Sequence, residues 1–201
     1  MDSGWYLGAI RQRLALDIVG SGVYNDPMTT TDQDYTKIPL HLDPEQARFK
    51  GIAYHGNVPF DVPFISHITH NLYVGGCKDG LILPHYINHV VSLYPWEQYS
   101  GVEDIDSFTA VRMYDDSNNM PNVEKLEGIA SWAASRLLDG PTLIHCQVGL
   151  NRSNLIATLA MSMAYGMEPY ESINLLREKR SPAVLCNTGF VDFLMNWKAP
   201  V

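Results

Sequence analysis

Leu143-Ile144-His145-Cys146-Gln147-Val148-Gly149-Leu150-Asn151-Arg152-Ser153 is the stretch that decides the fold. Residues 142–145 read as a short buried strand, and residues 151–165 are apolar nearly all round, as in a central buried helix that Gly166 stops. The segment between them is a tight strand-to-helix loop. Cys146 and Arg152 lie six positions apart in it, so five residues can wrap one turn of backbone around a small anion. Successive backbone N–H groups and the positive end of the following helix would face that anion. Gly149 supplies a position without Cβ where the backbone turns tightly.

The same field favours thiolate on Cys146. A free cysteine has a pKa of about 8.5, and such settings lower it to roughly 3.5–7.5. A thiolate there is a nucleophile suited to in-line attack on phosphorus. Arg152 can fork two oxygens of a phosphate, which lysine cannot do. Ser153 is placed to hydrogen-bond the sulfur. Transfer also needs a proton donor for the departing oxygen, and Met113-Tyr114-Asp115-Asp116-Ser117 offers two at a strand end. Asp115 is favoured and Asp116 is second.

Working outward, Asn71-Leu72-Tyr73-Val74 reads as a strand ending at Gly75-Gly76. Residues 89–94 and 109–114 read as two more, the last expected beside the 143–145 strand. Val123, Leu126, Ile129, Ala130, Ala133 and Leu137 fall at helical spacing, with Asn122 as N-cap and Gly140 past the end. Residues 170–179 and 188–197 read as further helices. The alternation implies an α/β fold: a central, mostly parallel twisted sheet flanked by helices on both faces, with the Cys-x5-Arg loop between strand and helix. Ligands of such sheets sit at the carboxyl ends of strands, where Cys146 lies.

Residues 61–201 are expected to form the domain that carries this loop. Residues 1–60 read as an irregular extension packed on it. Residues 10–18 could be a short amphipathic helix broken by Gly20-Ser21-Gly22, and Pro39, Pro44, Pro59 and Pro63 punctuate the stretch leading into the domain. Val23 after the Gly-x-Gly removes a dinucleotide fingerprint.

The 201-residue chain is 46% hydrophobic and 18% charged, with a formal net charge of −8, which argues against a role coating nucleic acid. Three cysteines, Cys77, Cys146 and Cys186, are too few and odd for a disulfide framework, so a reducing compartment is expected. Met1-Asp2-Ser3-Gly4 does not open a signal peptide and no apolar run is bilayer-length. A soluble cytoplasmic protein is the expectation, with no membrane contact and the oligomeric state open. Cys77 and Cys186 read as small hydrophobes, with a resolving-thiol role as the alternative. His67 with His70, and His85 with His89, have spacings seen in metal sites but lack a full ligand set, so no metal is expected. Tyr94, Trp96 and Tyr99 fit either a cleft rim or the core.

On these residues the chain resembles the cysteine-dependent protein phosphatases, and within them the dual-specificity class. Ile68-Thr69-His70-Asn71-Leu72-Tyr73-Val74-Gly75-Gly76 is similar to that class's opening strand. Val111-Arg112-Met113-Tyr114-Asp115 resembles its acid-bearing strand, and the stretch from His145 to Ser153 its signature loop. Arg180-Ser181-Pro182 followed by Asn187-Thr188-Gly189-Phe190 is similar to a late Arg-Pro … Asn-x-x-Phe segment. The resemblance spans about residues 64–198 and implies hydrolysis of phosphomonoesters on proteins, through a phosphocysteine and without cofactor. Cys146 would be the nucleophile, Arg152 the clamp, Asp115 the acid and Ser153 the thiolate stabiliser. Gln147, Val148, Gly149, Leu150 and Asn151 would line the substrate, with His145 and Asn187 as supports. One departure is Gly149-Leu150-Asn151-Arg152, which is similar to the loop of cysteine-type RNA 5′-triphosphatases. The acidic chain and the absence of loop lysines speak against RNA. A phospho-binding module with weak turnover is a third reading.

Overall fold

The computed structural model describes residues 34–43 and 59–199. The expected helix at residues 10–18 and its Gly20-Ser21-Gly22 break lie outside them.

A five-stranded sheet carries the fold, in the order β3-β4-β7-β5-β6. Its strands are β3 (Ile65–Thr69), β4 (Leu72–Gly75), β5 (His89–Ser92), β6 (Ser107–Ala110) and β7 (Thr142–His145). All neighbours are parallel except β3, which runs antiparallel to β4 at the edge. Both β5 and β7 are buried at every position, so neither shows the alternation of a half-exposed strand. The register aligns Gly75, Ser92 and His145 across the three central strands. Their carboxyl ends therefore meet where Cys146 begins. Two more bonds extend the ladder there, from Cys146 N to Gly75 O at 3.3 Å and from Leu93 N to His145 O at 2.8 Å.

Four helices, α1 (Val123–Asp139), α2 (Arg152–Tyr165), α3 (Pro169–Lys179) and α4 (Thr188–Asn196), complete the domain. The expected caps are in place: the Asn122 side chain accepts from Lys125 N, and Gly166 ends α2 in the left-handed region. α2 is buried throughout its first eleven residues and packs against the other three helices and against β4 and β7. Each of its large apolar side chains contributes roughly 1.5–3 kcal/mol of burial.

Three expectations are corrected. Residues 111–114 are not strand: β6 stops at Ala110, and after Val111 N bonds Ser92 O at 2.7 Å the chain leaves the sheet. The alternating Val111-Arg112-Met113-Tyr114 looked like strand, but among the described residues this edge strand pairs with β5 alone, which ends at Ser92. Second, β6 does not adjoin β7, because β5 lies between them. Third, the links from β4 to β5 and from β5 to β6 contain no α-helix, so strand and helix do not alternate along the whole domain. Gly80, Pro84, Pro95 and Gly101 break those segments.

Residues 34–43 are not wholly irregular. β1 (Pro39–Leu42) pairs antiparallel with β2 (Phe60–Pro63) as a separate two-stranded sheet. Tyr35, Leu40, Leu42 and Val62 are buried in the common core. The Tyr35 hydroxyl accepts from Ile82 N at 3.0 Å.

Candidate active site

The loop is built by its carbonyls. Gln147 O accepts from Cys77 N at 3.1 Å and Leu150 O from Leu185 N at 2.8 Å. Val148 O accepts from Arg180 Nη2 at 2.9 Å, and Gly149 O from Arg180 Nε at 2.6 Å and Asn154 Nδ2 at 2.8 Å. Four successive carbonyls are thus spent on the scaffold. In a planar trans peptide the N–H points opposite to the C=O, so the next N–H groups face the other way, over the sulfur. The Gly149 N–H reaches Cys146 Sγ at 3.2 Å. Gly149 sits at φ 77, and a Cβ there would lie 2.5 Å from Arg180 Nη2 and from Gly75 O. No other residue fits both the backbone and the space.

Arg180 is a support to which the sequence match gave no role. It is buried and also donates from Nη1 to Pro63 O (2.9 Å), Ser66 Oγ (3.0 Å) and Val74 O (3.2 Å). Burial pulls its pKa down to about 10, opposed by Cys146 and Tyr99, so it stays cationic at neutral pH. In sequence it stood in the Arg180-Ser181-Pro182 match and at a helix end, where a cation usually faces solvent and the helix dipole, and neither signal announced burial.

Cys146 is 2% exposed, with Ser153 Oγ 3.5 Å from its sulfur. Burial alone would raise its pKa, but Arg152 and the bonds from Ser153 outweigh it, and the thiol lies below its ordinary value. Arg152 donates from Nη1 to Met113 O at 3.1 Å, and its guanidinium lies 5.2 Å from the Tyr94 ring centroid. Its buried Nε has no acceptor among the described residues, which leaves a charged donor for a bound anion. His145 is buried, held near pKa 4 chiefly by desolvation, and its Nδ1 is 3.5 Å from Cys146 O. It is neutral at pH 7 and sits against the edge of Tyr99, whose hydroxyl donates to Gly76 O at 2.6 Å.

The two aspartates are separated by geometry. Asp115 Oδ2 accepts from Asn151 Nδ2 at 3.0 Å and Oδ1 from Asn187 Nδ2 at 3.1 Å. Asp116 turns away as the N-cap of a short 3-10 turn, accepting from Asn118 N at 2.9 Å and from the Asn119 amide. The Asn118 backbone bond leads the causes that hold its pKa below the ordinary carboxylate value, the wrong direction for a proton donor. The segment reaches the loop because Gly189 at the start of α4 lacks a Cβ, which would otherwise stand 2.7 Å from Ser117 Oγ.

Asn151 does not cap α2 with its side chain. Its Nδ2 donates to Asp115, its Oδ1 accepts from Asn187 N at 3.0 Å, and the side chain contacts Cys186 Sγ at 3.4 Å. Leu185, at φ 57, turns the chain so that Cys186 and Asn187 lie under the loop. Gln147, Val148 and Leu150 shape the loop with their backbones. Cys77 is buried in the core. His67 Nε2 is spent on His70 O at 2.8 Å, and among the described residues no three His, Cys, Asp or Glu side chains gather as a metal site.

No protein-family model matches the chain. Among curated proteins, "Putative tyrosine phosphatase 123R" of Invertebrate iridescent virus 6 is 25% identical over 135 residues, covering 65% of this chain and 89% of that protein. Among solved structures, human DUSP28 matches with a TM-score of 0.56 at 15% identity, over 64% of this chain and 92% of that one. Human tyrosine phosphatase-like serine/threonine/tyrosine-interacting protein matches with a TM-score of 0.52 at 18% identity, over 65% and 92%. This chain has the dual-specificity phosphatase fold. In its Cys-x5-Arg loop and over these stretches the chain is similar to cysteine-dependent phosphatases. Among the described residues, no helix is long and apolar enough to cross a membrane.

Proposed function

We propose that this protein hydrolyses phosphomonoesters of phosphorylated proteins, on phosphotyrosine and on phosphoserine or phosphothreonine, through a phosphocysteine and without metal. The observation that carries this reading is the Cys146 sulfur under the Gly149 N–H, beside an arginine whose Nε has no acceptor among the described residues. The name of the viral relative agrees with it. The thiolate attacks phosphorus, the S–P bond forms, and the ester O–P bond breaks as Asp115 gives its proton to the leaving oxygen. Water then attacks the phosphocysteine and gives a proton back to Asp115. The S–P bond breaks, the electron pair returns to sulfur, and Ser153 steadies the thiolate. Arg152 and the loop N–H groups hold the phosphoryl oxygens throughout.

Asn151 was the residue that pointed towards RNA. Its side chain is engaged with Asp115, Asn187 and Cys186, so its presence needs no RNA ligand. We assign it to positioning the acid.

Asp115→Ala is expected to slow alkyl phosphates by roughly 10²–10⁴-fold and good aryl leaving groups far less. Asp116→Ala should stay within a few-fold on both. Steady-state rates on the two substrate types check this, and the opposite ranking would move the acid to Asp116. Asn151→Ala should cost roughly 10–100-fold in kcat on alkyl phosphates with KM little changed, because it loosens Asp115 and spares the phosphate contacts. The basic limb of its pH–rate profile should weaken too. An equal loss on alkyl and aryl substrates would make Asn151 merely structural.

A further inference from the structure

The surface beside the loop carries a feature that the chemistry above does not use. Tyr94, whose ring bears the Arg152 guanidinium, packs on Trp96 with centroids 5.0 Å apart. The Arg112 guanidinium lies 4.9 Å from the Trp96 centroid and 5.1 Å from that of Tyr114, and one of its Nη groups bonds the Tyr114 hydroxyl. Trp96 and Tyr114 are 48% and 49% exposed and face each other at 6.5 Å. The result is a continuous ledge leading from one arginine to another.

An exposed pair of large rings gripping a cation is costly to leave on a surface without use. Tryptophan, tyrosine and arginine are also the types that dominate binding hot spots. Arg112 makes no ion pair with a carboxylate among the described residues, in a chain of net charge −8. The rings restrict its guanidinium, so less freedom is lost when it forks an anion. Tyr114 directly precedes Asp115, which puts the ledge on the side from which the leaving group departs. That is the side on which the rest of a substrate must lie.

We propose that the Trp96–Arg112–Tyr114 ledge is a second anion subsite, which binds an acidic side chain of a phosphopeptide close to the residue held by Cys146 and Arg152. This rests on the phosphatase reading for the first phosphate. Two arginines are too few for a polyanion, which favours a peptide over RNA.

The test is binding to the full-length Cys146→Ser protein, followed by fluorescence polarisation. The probes are phosphopeptides whose flanking residues are glutamate, alanine or lysine, and a 5′-triphosphorylated RNA. The glutamate peptide should bind roughly fivefold tighter than the alanine peptide at low salt, with the gap closing as salt rises. Adding Arg112→Met should erase the preference and leave the alanine peptide unchanged, and adding Arg112→Glu should turn it towards lysine. Equal affinity for the three peptides, a preference that survives Arg112→Glu, or an Arg112 effect confined to RNA would each overturn the subsite. Discrimination in binding without turnover by the wild-type protein would instead sink the phosphatase reading and leave the ledge standing.

Discussion

Arg180→Met is expected to destabilise the protein by at least ~4 kcal/mol or to prevent folding, since each of several buried acceptors loses about 1–3 kcal/mol of pairing. Four backbone carbonyls and the Ser66 hydroxyl accept from this one guanidinium. Methionine fills the volume and pairs with none of them. Domains of this size hold only about 5–15 kcal/mol of net stability, so the loss is a large share of the total. Arg180→Lys should fall between, because three ammonium donors cannot serve five acceptors. Urea unfolding midpoints check the order wild type, lysine, methionine. In any folded fraction, turnover should drop too, because the Val148 and Gly149 carbonyls lose the donor that keeps their peptides turned. A methionine variant within ~1 kcal/mol of wild type and fully active would remove Arg180 from its supporting role.

Cys146→Ser should abolish turnover, by at least ~10⁴-fold, because a neutral hydroxyl replaces a thiolate and no neighbouring base can activate it. His145 is buried, neutral and 3.5 Å from the Cys146 carbonyl oxygen rather than on the sulfur. Phosphopeptide binding should survive, since Arg152 and the loop backbone are untouched. In the wild type the acid limb of kcat/KM should follow thiolate formation. Cys146 titrates below the ordinary cysteine value, so the rate rises with pH through that lowered pKa and levels off before a normal thiol would ionise. Ser153→Ala removes a donor to the thiolate and should move the limb upward in pH. An unmoved limb would separate Ser153 from the titration.

The sheet's centre was legible because β5, β7 and α2 each carry an apolar stretch, Val90-Val91, Leu143-Ile144 and the mostly apolar residues 155–161, whose length sets the element's type. The loop was legible because the residue types and spacing of Cys146, Gly149, Arg152 and Ser153 suit a turn around a small anion. Of the residues around it, Asn187 was expected as a support, whereas the parts of Arg180 and of the Asn151 side chain were not foreseen. Arg180 stands 31 positions after Gly149 and meets it only in the folded chain. Asn151 signalled a substrate in sequence and turns out to face Asp115 and Asn187, which no local pattern encodes. Residues 111–114 alternate like a strand, yet strand character needs a neighbour, and the neighbour ends at Ser92. Sequence ranked Asp115 above Asp116 by place alone, and the turn that Asp116 caps was not visible there.

Phosphate release in the presence of a chelator tests the central claim most directly. The substrates are a phosphotyrosine peptide, a phosphothreonine peptide and a 5′-triphosphorylated RNA, with Cys146→Ser as the blank. Hydrolysis of both peptides by the wild-type protein alone is the expected result. Hydrolysis of the RNA alone, or equal peptide hydrolysis by the serine variant, would contradict it.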